Sequence, residues 1–113
     1  MNFEIISEKV TDWAKARQII PNSNPMAQAM KGIEEAAEWF QAATAISILS
    51  KDDPKYQYWL DKFKDGVGDT AVTLIISSAL ANVNVVECLN IAYNEIKDRT
   101  GKMNEKGIFV KEK

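Results

Sequence analysis

The chain has 113 residues, 46% hydrophobic and 27% charged, with a net charge of −2 and no basic block. These totals argue against a disordered chain and against nucleic acid as a partner. With no histidine, imidazole zinc sites and His-dependent triads are excluded, which leaves chemistry to carboxylates, lysine, arginine or a metal.

The first predicted helix runs from Phe3 to about Ile20, with Phe3, Ile6, Val10, Trp13, Ala14 and Arg17 at helical spacing. Its opening, "MNFEIISEKV", lacks the basic and apolar regions of a signal peptide. "IPNSNP" then forms a turn, and Asn24 caps a second helix with Pro25 at its first position. That helix reaches about Ser50 and carries Met26, Met30, Ile33, Ala37 and Phe40 as one apolar stripe. After the loop "SKDDP", Pro54 is expected to open a third helix with Asp53 as its cap.

Gly66 and Gly68 interrupt this third helix, each costing about 1 kcal/mol against alanine, so either a close neighbour or a kink is expected there. The uncharged run 70–86 is short of the roughly 20 apolar residues of a membrane span and reads as a buried core helix with a following turn. Asn82 or Asn84 starts a fourth helix, "VVECLNIAYNEIKDRTG", with Gly101 just past its end. Cys88, the one cysteine, reads as a small buried hydrophobe and fits a reducing cytoplasm. The tail 103–113 is expected to add a short extended segment, "GIFV". The expected fold is all-α, a single domain over 1–113 with a four-helix bundle-like protomer.

Spacings of three and four residues place polar side chains on shared helix faces. They link Gln28, Lys31, Glu35 and Glu38 on the second helix, Lys62, Asp65 and Asp69 on the third, and Glu87, Asn90, Asn94 and Lys97 on the fourth. Like charges one turn apart repel, and bringing two such pairs together inside a bundle calls for a cation. Mg²⁺ suits carboxylate oxygens, whereas a ferritin-like di-iron centre would need histidine. The competing reading is a solvated acidic face.

At these residues the chain resembles the all-α nucleoside triphosphate pyrophosphohydrolases of the MazG-like type. The resemblance rests on "NSNPMAQAMKGIEEAAEWFQA", "KDGVGDTAVTLI" and "AYNEIKDRTGKM", and covers roughly residues 12–112. Glu34, Glu35 and Glu38 match the family's Glu-Glu-x-x-Glu signature. Asp69 matches the Asp of its Glu-x-x-Asp, but the Glu position falls on Gly66, with Asp65 one residue earlier. The stretch is similar to an Asp-x-x-Gly-Asp form found in compact phage-like members.

The resemblance implies hydrolysis of a nucleoside triphosphate between the α and β phosphates, with Mg²⁺ (or Mn²⁺) as cofactor. It implies Glu35, Glu38, Asp69 and Asp65 as metal ligands and Glu34 or Glu38 as the group that activates water. Asn94, Lys97 and Arg99, with Lys102 close behind, fall where the family binds substrate phosphates, and Gln28 and Lys31 share the Glu35 face. It further implies a homodimer or homotetramer whose sites are lined by more than one chain, with neither nucleic acid nor membrane as partner. The alternative is a non-catalytic helical dimerisation module with a degenerate metal site.

Overall fold

Asparagine side chains open three of the helices in the computed structural model, which describes residues 1–112. Asn2 Oδ1 accepts the Ile5 N–H at 2.9 Å and starts α1 (Phe3–Ala16). Gln18, in the left-handed region at φ 61°, ends it earlier than expected, and a one-turn helix α2 (Ile19–Asn22) follows. Asn24 Oδ1 accepts the Ala27 N–H at 2.8 Å, with Pro25 at the first position of α3 (Pro25–Ile48) as predicted. Asp53 Oδ1 takes the Lys55 N–H at 2.8 Å, but it closes a turn, and α4 (Tyr56–Leu80) begins beyond Pro54. Asn82 adopts the left-handed turn at φ 58°, and Asn84 is the cap of α5 (Val85–Ile96), accepting from the Val86 and Glu87 N–H groups.

The fourth predicted helix therefore stops at Ile96, well short of Gly101. Gly101 instead lies in β1 (Gly101–Met103), paired antiparallel with β2 (Phe109–Lys111), which takes up the second half of the expected extended segment. A side chain at Gly101 would run into the Val110 carbonyl and the Phe109 ring, so the close strand approach needs glycine. Lys113, the last residue of the predicted tail, lies outside the described residues.

Among the described residues the architecture is mostly helical, with five helices and one small hairpin where four helices were expected. Among the described residues, only α3 and α4 pack along their length. A Cβ on Gly66 would stand 2.8 Å from Trp39 Cα and Cβ, and one on Gly32 would stand 2.8 Å from Thr73 Oγ1. The two close approaches are seven residues apart on each helix and fix an antiparallel register; the Ser77 hydroxyl, donating to the Pro25 carbonyl at 3.0 Å, ties its end. Gly66 thus answers to close approach, not to a kink: α4 is continuous, and no atom within 4 Å explains Gly68.

Helix α1 crosses α4 on small buried residues, Ser7 and Ala14, two turns apart. The expected stripe of Phe3, Ile6 and Trp13 is only partly covered, at 41–46% exposure, because these larger side chains flank that contact. Helix α5 leaves α4 at 104° and touches α4 and α1 but not α3. Cys88, expected in a core, is exposed on α5 for the same reason. Run 70–86 is only partly a core: Thr73, Ile75 and Ile76 are buried, but Leu74 is 58% exposed. No single helix among the described residues is long and apolar enough to cross a membrane.

The second helix's apolar stripe is formed but uncovered: Met26, Ile33 and Phe40 are each at least 70% exposed. The accessible surface is 8717 Å², where a compact monomer of 12.7 kDa would show about 6,200 Å². The radius of gyration, 16.9 Å, likewise exceeds the roughly 13 Å of a compact chain this long.

Candidate functional site

The antiparallel α3–α4 pair has two unlike sides. On one, Ile33 of α3 and Leu74 of α4 border one apolar groove, and Phe40 and Val67, seven residues along each helix, are likewise exposed. On the other stand the carboxylates, because Glu35 and Glu38 lie roughly 120–180° around α3 from the apolar stripe at 100° per residue.

Glu38 of α3 and Asp65 and Asp69 of α4 line one cleft of about 370 Å³, with Gly66 between the helices at its floor. Gln28, Lys31 and Glu35 line an adjoining groove with Asp69, which belongs to both. Six of the predicted site residues therefore occupy one continuous face. The departure at Gly66 gains a physical reason: that position faces the Trp39 backbone, where any longer side chain would drive α3 and α4 apart. Asp65, one residue earlier, turns toward the cleft instead.

Lys31 is the resident cation of the groove. Its Nζ lies 3.6 Å from Glu34 and 3.4 Å from Glu35. Glu34, then Glu35, raise its pKa above 10.5. The two glutamates differ in setting, since the Glu35 side chain is 14% exposed and the Glu34 side chain 66%. Glu34 lines neither cleft nor groove, so of the two candidates for activating water only Glu38 stands with Asp65 and Asp69. Gln28 already donates to the Ser23 hydroxyl at 3.1 Å.

Asn94, Lys97, Arg99 and Lys102 are not brought to this face. All four are exposed. From Asp69 to the end of α4 at Leu80 the axis runs about 16 Å, and α5 then turns away without approaching α3. The sequence reading missed Gln41, Tyr58 and Trp59 and gave Lys62, on the Asp65 face, no role; these four complete the wall of the cleft. Their signal was present, since Tyr58, Lys62, Asp65 and Asp69 are spaced four, three and four residues apart.

Among the described residues, no group of three metal-ligating side chains stands close enough to hold an ion unaided. The donor set nevertheless fits magnesium, which keeps several waters and takes one or two carboxylates alongside substrate phosphates. Comparison with protein-family models, curated proteins and solved structures found no match to this chain.

Proposed function

We propose that the chain is a Mg²⁺-dependent nucleoside triphosphate pyrophosphohydrolase of the MazG-like type, acting in the cytoplasm as a homodimer or homotetramer. One observation carries the reading: carboxylates from two helices, Glu38, Asp65 and Asp69, line a single cleft, with Glu35 beside them. A polyanionic substrate enters an acidic cleft only together with cations. Asp65, Asp69 and Glu35 are the residues that would hold Mg²⁺ (or Mn²⁺), which when bound draws charge from the phosphates and lowers the pKa of a bound water. Glu38 accepts the proton of the water that attacks the α-phosphorus. The bond from that phosphorus to the bridging oxygen breaks, and pyrophosphate leaves with the electron pair. Glu34, facing solvent, contributes through Lys31 rather than at the reacting atoms.

Surface area supports the proposed assembly. About 2,500 Å² in excess of a compact monomer is what one chain gives up in a large obligate interface. A second copy seated on Met26, Ile33, Phe40 and Leu74 covers the apolar side and leaves the acidic side open. In this reading Asn94, Lys97, Arg99 and Lys102 meet the triphosphate only from another copy, because their own chain holds them away from the cleft.

The test is a panel of nucleoside triphosphates with Mg²⁺, followed by ³¹P NMR for monophosphate and pyrophosphate. Wild type is expected to release both, and Glu38→Gln to abolish release with its helical spectrum intact. A Glu38→Gln protein with wild-type turnover overturns the assignment. The alternative, a non-catalytic dimerisation module, is favoured by the Lys31 pairs, since one lysine already offsets half of the Glu34 and Glu35 charge. Such a module gives no Mg²⁺-dependent product with any nucleotide.

A further inference from the structure

The carboxylates occupy only one end of their cleft. At the other end α4 presents two adjacent aromatic rings, Tyr58 and Trp59, 5.2 Å apart and inclined at 81°. Trp59 is half-buried, which holds its ring in place as a wall, and Tyr58 is exposed beside it. Gln41 supplies an amide, both donor and acceptor, from the α3 side. Lys62 lies one turn on from Tyr58 and one turn before Asp65. Among the described residues it pairs with no carboxylate; its Nζ rests 5.7 Å from the Tyr58 ring centroid.

A cation that stands over an aromatic ring, with Asp65 one turn away, keeps its hydrogen-bond donors available to an anion. Along α4 the cleft therefore grades from flat apolar rings, through one amine, to carboxylates, with about 9 Å of axis between Trp59 and Asp65. A phosphate ester or inorganic polyphosphate would use only the acidic end. A ligand with an aromatic ring at one end and phosphates at the other uses all of it.

Resting on the hydrolase reading above, we propose that Trp59 forms a stacking wall for a nucleobase with Tyr58 set at a steep angle beside it, Gln41 reads the base edge, and Lys62 binds a phosphate next to the nucleoside. The substrate class is thereby a base-bearing triphosphate, not any compound with a pyrophosphate bond. Stacking on a ring is tolerant of base identity, so discrimination among bases falls to Gln41.

Two measurements test this. In the first, Trp59→Leu and Trp59→Phe are assayed with a nucleoside triphosphate and with inorganic tripolyphosphate. Trp59→Leu is expected to raise KM for the nucleotide relative to that for tripolyphosphate by roughly 5- to 150-fold, the range for loss of one base–aromatic stack. Trp59→Phe should recover part of the loss. In the second, a nucleoside monophosphate without metal is titrated into the wild-type protein and the three tryptophan indole N–H resonances are followed by NMR. The Trp59 resonance is expected to shift, and inorganic phosphate is expected to leave it in place.

If turnover is present but both substrates respond alike to Trp59→Leu, the wall is wrong and the hydrolase stands. If no triphosphate is turned over but the Trp59 resonance moves with the nucleotide, the wall stands and the hydrolase is wrong. A Trp59 resonance unmoved by nucleotide overturns the proposal even where Trp59→Leu fails to fold.

Discussion

Replacing Gly66 and Gly68 by alanine, one at a time, separates helix packing from helix propensity. Both sit within α4, so each alanine gains about 1 kcal/mol of intrinsic helix preference. They differ in surroundings: the new methyl at 66 would stand 2.8 Å from two carbons of Trp39, and the one at 68 meets nothing within 4 Å. Carbon atoms prefer about 3.5–4.0 Å, so α3 and α4 must part by roughly 1 Å or repack. Overpacking of that kind costs about 1–3 kcal/mol. Because the propensity gain is common, it cancels in the comparison, and Gly68→Ala should exceed Gly66→Ala in stability by about 1–3 kcal/mol. At roughly 4 °C per kcal/mol for a chain near this size, the gap in Tm is about 4–12 °C. Thermal unfolding by circular dichroism at one fixed protein concentration measures it, since association shifts Tm. Equal Tm values, or a reversed order, would refute the close-approach account of Gly66. The same geometry predicts that Gly66→Glu, which restores the resembled signature, lowers Tm further and adds no activity.

Sedimentation equilibrium should place wild type at two or more multiples of its 12.7 kDa chain mass. Ile33→Asp combined with Phe40→Asp should break that assembly, whereas a wild-type monomer at micromolar concentration contradicts the covered-face reading. Lys31 should titrate above 10.5 by NMR, and Glu34→Gln should bring it down. The sign follows from a raised folded-state pKa: the pairs' contribution is complete below pH 10.5 and is lost as pH climbs through the raised value. A Lys31 that titrates at its ordinary value in wild type contradicts the pairing.

Local features of this fold were legible in the sequence wherever a single residue type decides the backbone. Asn24 with Pro25 placed the start of α3, and the Asn82/Asn84 pair bracketed the start of α5, because capping is a short-range interaction. The end of α1 was not legible, since Gln18 enters the left-handed region without a glycine or asparagine to announce it. Nor was the hairpin, because Gly101 suits a helix end and a close strand approach equally well by type alone.

Periodicity identified the apolar stripe from Met26 to Phe40 correctly as a face but could not say that the face finds no cover within one chain. The same limit applies to the site. Spacing gathered Glu35, Glu38, Asp65 and Asp69 on their faces, yet the path of α5 separates Lys97 and Arg99 from them, and that path depends on packing beyond the helix itself. Gln41 and Trp59 were not legible because spacing along one helix does not show which side chains of the facing helix complete a cleft, and Lys62, though on the Asp65 and Asp69 face, reads equally as a solvated lysine.

The most direct measurement is calorimetric titration of a nucleoside triphosphate made non-hydrolysable between its α and β phosphates, with and without Mg²⁺, into wild type and Asp69→Asn. Asp69 lines both the cleft and the groove, so the account predicts binding by wild type that requires Mg²⁺ and is lost in the variant. Binding of equal strength without the metal, or retained by Asp69→Asn, would contradict it.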